Sequence, residues 1–234
     1  MPRLFRGLAV GFDDLDRVAD SIRQNGLQPV EERRWRNDMP APQLVRQRQK
    51  ELQESPARIR DVLRSLPSAP LVYACGDEFG ACNYALSHNR SNEHPASLLV
   101  EFEVPVDALC VDGKDFLYTA FQLWDRSGAN HRDKVRGLLV TLFGQGVLKY
   151  FDWATTLKET IERVGVCDLA CHDLNVITSH LNNSTLIRGR CRTEFCSSFQ
   201  LQLPVPASAI CRIENERVMP ERPSCSVTVE DLFG

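Results

Sequence analysis

The chain opens on an apolar stretch at 4–10, interrupted by Arg6 and Gly7, which predicts an N-terminal strand with one charge inside it. Asp13 and Asp14 then precede Leu15, Val18, Ala19 and Ile22, whose spacing puts them on one helical face, and Gly26 follows as a natural stop. From 31 to 64 the apolar positions thin out and charged or long polar residues take over. Pro29, Pro40, Pro42 and Pro56 confine helix to the piece between Pro42 and Pro56, so about 31–66 reads as an exposed, charged helical insertion. After Pro70 the pattern predicts strands at 71–75, 97–104, 108–111, 116–120, 135–143 and 147–151, with Asp107, Asp112-Gly113 and Gly144-Gln145-Gly146 at turns. Asp77 is placed to cap a helix through Ala81, Cys82 and Ala85. A second clear helix has Thr156 and Glu159 as a capping box, a face of Leu157, Ile161 and Val164, and an end at Gly165. The stretch 167–183 has no decisive period, 192–203 and 208–213 read as late strands, and 227–229 as a short edge.

Strands dominate this reading, with helices mainly early and late, which predicts an α+β fold with a mixed or antiparallel sheet. The 234 residues, 43% of them apolar, suit one domain spanning 1–234 with the insertion at about 31–66. No run of about 18 apolar residues is present, so no membrane contact is expected. Met1-Pro2-Arg3-Leu4-Phe5 lacks the apolar stretch of a secretory signal, and the expected location is cytoplasmic, including delivery into a host cell without a signal peptide.

Charge narrows the function classes. Lysine and arginine number 28 against 31 acids, a net −3, which argues against a general nucleic-acid binder. The arginines at 33, 34, 36, 46, 48, 58, 60 and 64 leave room for a local acidic partner, although a solvated helix face is the simpler reading. Nine cysteines without a signal peptide are expected as reduced thiols. Cys167, Cys171, His172, Cys191 and Cys196 lack a CxxC pair, so no metal site is expected from them. Phosphate-loop, nucleophile-elbow and HExxH patterns are absent.

Three features are unusual for plain structural strands: Arg6-Gly7 in the first strand, Tyr73 and Tyr84 across a strand-to-helix turn, and Glu194 in a late strand. Glu194 is chosen over Glu101 and Glu103 because it comes late, and over Glu214 and Glu216 because those close a strand near a turn. Together these residues resemble the ADP-ribosyltransferase superfamily, nearest to the poly(ADP-ribose) polymerase and diphtheria-toxin branch. That branch carries a His-Gly pair, two tyrosines and a late Glu. Val72-Tyr73-Ala74-Cys75-Gly76-Asp77 and Ala81-Cys82-Asn83-Tyr84-Ala85 are similar to its Tyr strand and following helix. Arg6 departs from the His and is more like the arginine that opens the cholera-type branch, whose Ser-Thr-Ser strand is missing here.

The resemblance implies a split mixed or antiparallel β-sheet core with flanking helices, NAD as co-substrate, and transfer of ADP-ribose to a macromolecule, with protein the implied acceptor. Arg192, two positions before Glu194, stands where the arginine-modifying branch carries an acid, which weighs against arginine as acceptor. Physical chemistry supports such a set independently. A guanidinium matches phosphate or ribose oxygens, Gly7 permits close backbone approach to the nicotinamide amide, and two tyrosines can stack on a nicotinamide ring. Glu194 would stabilise the oxocarbenium-like ribose left when nicotinamide departs. Two rival readings remain: the same fold acting on nucleic acid or water, and a noncatalytic protein-interaction module.

Overall fold

The computed structural model describes residues 1–29, 38–88, 91–114, 116–123, 129–189, 193–215 and 219–233. Arg33, Arg34, Arg36, Cys191, Arg192 and Glu216 fall outside them. In chain order the first half holds β1 (Arg3–Val10), α1 (Leu15–Asn25), β2 (Asp38–Pro40), α2 (Pro42–Gln47), α3 (Gln49–Gln53), α4 (Ile59–Ser65), β3 (Ser68–Cys75), α5 (Glu78–Asn83), β4 (Ala96–Glu103) and β5 (Cys110–Val111). There follow α6 (Leu117–Leu123), α7 (Ala129–Phe143), α8 (Leu148–Ala154), α9 (Thr160–Cys171), α10 (Leu174–Leu181), β6 (Leu186–Arg188), β7 (Glu194–Phe195), β8 (Ser198–Gln202), β9 (Ile210–Glu214) and β10 (Ser226–Thr228).

The main sheet runs β5-β8-β3-β1-β4-β9, with β2 added on β3, and its pairs are antiparallel. A three-stranded sheet, β10-β6-β7, stands beside it, with β10 parallel to β6. The molecule is therefore mixed α and β, an antiparallel sheet with flanking helices, 50% helical and 24% strand. Helix outweighs strand, contrary to the expectation of strand dominance.

The reversal has one cause: short apolar runs carry both periods. In α7, Val135, Leu139, Leu142 and Phe143 are the buried positions, spaced i, i+4, i+7, i+8. In α8 and its lead-in they are Val147, Tyr150, Phe151 and Ala154, and in α6 Leu117, Ala120 and Phe121. Each is a helical stripe, so the strands expected at 116–120, 135–143 and 147–151 are helices. Nor does α9 stop at Gly165. It begins at Thr160 and continues to Cys171, because Gly165 gives up its side chain to Ile59, whose Cβ lies 3.1 Å from where a Cβ would stand.

The described part of the charged stretch, 38–66, is no exposed appendage. Val45, Leu52 and Ile59, seven residues apart, are fully buried in the same core as Leu4, Phe102 and Phe199. Arg46 reaches the His172 carbonyl at 3.2 Å and also the Asp107 carbonyl, tying α2 to the body. The charges coat the outer face of helices whose inner face is core.

Other elements follow their local signals. Gly26 ends α1 at φ 74°, and a Cβ there would lie 2.0 Å from the Val205 carbonyl oxygen. His180 of α10 joins sheet to helices: Nδ1 donates to the Leu142 carbonyl at 3.0 Å, and Nε2 accepts from the Ser198 amide at 3.2 Å. Its ring stacks on Phe143 at 4.6 Å and tilts against Phe199 at 5.3 Å. Burial pushes its pKa down to about 4, so this crosslink is a neutral imidazole.

Candidate active site

The elements bearing the sequence motif meet at the turn from β3 to α5. Asp77 organises it. One carboxylate oxygen accepts the Gly80 amide at 2.6 Å as the helix cap, and the other accepts the amides of Cys196 at 2.8 Å and Ser197 at 3.1 Å. The Gly76 amide returns a bond to the Ser197 carbonyl at 3.1 Å. A single side chain thus fastens the Tyr strand, the helix after it and the segment joining β7 to β8. Burial raises the Asp77 pKa, and the three amides work against that rise by favouring the charged form.

Tyr84 follows α5 in a π-helical turn, Tyr84–His88, and its ring stacks on Phe195 with centroids 6.4 Å apart and planes at 19°. Its neighbour Asn83 accepts the Glu194 amide at 3.1 Å. Tyr84 and Glu194 are therefore brought to the same end of the molecule, one on the helix and one on β7 lying against it. The Glu194 carboxylate is not free: Arg222 holds it at 2.6 Å and Arg188 at 3.3 Å. Both guanidinium side chains are about half exposed, 51% and 52%, while the Glu194 side chain is 20% exposed, so the clamp joins two surface arginines to a largely buried carboxylate.

Tyr73 sits in the middle of β3, opposite Gln200 of β8, and by strand alternation the two side chains share a face. The Lys114 ammonium lies 4.7 Å from the centre of the Tyr73 ring and donates to its hydroxyl. Arg6 leaves β1 on the other face, because Phe5 pairs with Cys75 and alternation then sets Arg6 opposite to Tyr73. Its guanidinium reaches back to the Tyr73 carbonyl, at 2.7 Å, and so brings Arg6 to the Tyr73 backbone.

Gly7 has a different neighbour from the one the sequence suggested. A Cβ there would lie 1.8 Å from the Ala81 carbonyl oxygen, so α5 itself fills the space that glycine opens. The demand for glycine comes from helix-on-strand packing.

Of the weaker sequence features, Tyr118 is on α6 and donates its hydroxyl to Asp168 of α9, and His131 meets the Leu232 carbonyl at 2.6 Å. Among the described residues no group of three or more His, Cys, Asp or Glu is placed to hold a metal ion. Cys110 and His172 come within 3.7 Å. They do not form a thiolate and imidazolium pair: Nδ1 of His172 donates to the Asp168 carbonyl at 2.7 Å, burial lowers its pKa to about 4, and burial pushes the Cys110 thiol well up.

Sequence reasoning missed three parts of this region. Asp77 was readable as a cap, but its bonds to Cys196 and Ser197 join residues 119 and 120 positions apart in the chain. Lys114 gave no signal beyond following a turn. Asp168 lay in the stretch without a period, and burial pushes its pKa up to about 6. Comparison with known protein families, with characterised proteins and with solved structures finds no match for the chain.

Proposed function

We propose that the protein is an NAD-dependent ADP-ribosyltransferase that cleaves the bond between nicotinamide and ribose and passes ADP-ribose to a macromolecule, most simply a protein. The observation that carries this reading is the convergence at the β3–α5 turn. The Tyr73 strand lies hydrogen-bonded between the Arg6 strand and β8, while the helix leading to Tyr84 crosses Gly7 and touches the segment bearing Glu194. Such convergence is what the chemistry requires, since ring-gripping aromatics and a carboxylate must reach one nucleotide.

On this reading the roles shift from those of the sequence alone. Tyr84 and Tyr73 face the nicotinamide and its ribose, and Lys114 beside Tyr73 supplies a cation for the diphosphate. Arg6 is a positioning residue that acts through the Tyr73 backbone. Glu194 stabilises the cationic ribose as nicotinamide leaves. To do so it exchanges its contacts to Arg222 and Arg188 for ribose.

The test is nicotinamide release from NAD by wild type, Glu194→Gln and Arg222→Gln, with and without cell lysate as acceptor. Glu194→Gln is expected to lower release at least 100-fold with its melting temperature unchanged, while Arg222→Gln keeps kcat within a few-fold, since it only frees the carboxylate. Equal release by wild type and Glu194→Gln removes Glu194 from the site.

A further inference from the structure

Beyond the motif residues, a cavity of about 440 Å³ opens between β2, α4, the β5 edge, α6 and α9. Its volume falls within the roughly 300–1,000 Å³ of small-molecule sites. The polar residues that give it character are Asp38 at the exposed rim, Arg60, Arg64, Tyr118, Asp168 and Gln200. Met39, Leu63 and Val111 add apolar wall.

The two ends differ in chemistry. Arg60 and Arg64 stand one turn apart on α4, so both guanidinium groups lie on the same side of the helix. Arg64 is exposed and makes no hydrogen bond or ion pair among the described residues, and the nearest acid oxygen to Arg60 belongs to Asp168, at 4.0 Å. Two planar donor forks are therefore largely unspent.

The inner end offers acceptors. Tyr118 spends its hydroxyl proton on Asp168. Gln200 spends one amide N–H on Asp112 at 2.9 Å, leaving its carbonyl oxygen and its second N–H to offer. His172 is 8% exposed and closes the inner wall, its Nδ1 proton going to the Asp168 carbonyl.

Three ligand classes can be compared against these ends. An inorganic anion satisfies the arginines and leaves the inner acceptors bare. An amine satisfies Asp168 but meets two guanidinium groups on entry. A molecule with an anion at one end and hydroxyls at the other satisfies both, and a tetrahedral phosphate offers enough oxygens for two forks. We propose that this cavity binds a small phosphorylated polyol, a sugar phosphate in the simplest case, with the phosphate held by Arg60 and Arg64 and the hydroxyls hydrogen-bonded to Asp168 and Gln200. The site stands independently of NAD cleavage, because it uses none of Arg6, Tyr73, Tyr84 or Glu194.

The experiment is calorimetric titration of the full chain with ribose 5-phosphate, glucose 6-phosphate and glycerol 3-phosphate, beside ribose and inorganic phosphate. At least one phosphorylated polyol is expected to bind saturably, at least tenfold tighter than inorganic phosphate, with no heat from ribose. Arg64→Gln, at an exposed position, is expected to weaken that binding at least fivefold, and the Arg60→Gln, Arg64→Gln pair at least thirtyfold, with ligand-free melting unchanged. Saturable binding of none of the three, inorganic phosphate binding as tightly, or full affinity in the paired variant overturns the proposal.

Discussion

Asp77 shows how much one buried carboxylate can fix. Its two oxygens serve three backbone amides from both sides of the turn. An asparagine has one acceptor oxygen and would turn an NH2 toward either Gly80 or the Cys196 and Ser197 amides, leaving donors unsatisfied. Asp77→Asn is expected to lose about 2 kcal/mol in urea unfolding and to loosen the Phe195 contact with Tyr84, seen as faster amide exchange at Cys196 and Ser197. An unchanged unfolding midpoint would mean those amides find other partners. Glu194 differs in its partners, two half-exposed arginine side chains in place of buried backbone amides.

The contact between α5 and β1 depends on Gly7. A Cβ there meets backbone rather than a flexible side chain, so Gly7→Ala forces the helix outward, and a loss of about 3 kcal/mol is expected in denaturant titration, together with weakened NAD turnover as Tyr84 moves. A stability within 0.5 kcal/mol of wild type, roughly the scatter of neutral surface changes, would contradict that packing account. The same elements show what could be read from the chain. Strand β1, helix α1 with its Gly26 stop, β3, the Asp77 cap and β4 were legible because each carries its own punctuation. Helices α6, α7 and α8 were not, because their apolar stripes sit inside near-continuous apolar runs and only burial shows which period is used. For the proposed site, chain order and spacing singled out Tyr73, Tyr84 and Glu194 as candidates, but carried no information on the face on which Arg6 emerges or the partners of Glu194. Those depend on sheet register and on residues 188 and 222 folding back to β7.

Over the whole molecule, buried ionisable groups set the response to pH. His172 and His180 are each held down to about 4 from 6.5, so the stability they confer is complete above about pH 6.5 and is lost as the pH falls toward 4. Asp168, raised from 3.8 to about 6, has the opposite sign: its contribution is full below pH 3.8 and is lost as the pH rises through 6. Glutamine can copy both bonds of His180 without titrating. His180→Gln is therefore expected to gain on wild type as pH falls from 6.5 to 4, approaching about 3 kcal/mol at the acid end, measured by urea unfolding across that range. A constant difference at all pH values would show that His180 titrates as an ordinary exposed histidine. The central claim, that these elements converge to cleave NAD, is tested most directly by nicotinamide release from NAD by the purified wild-type chain with lysate present. The account predicts release accompanied by ADP-ribose on a lysate macromolecule; no release, together with no NAD binding by calorimetry, contradicts it and leaves a noncatalytic interaction module.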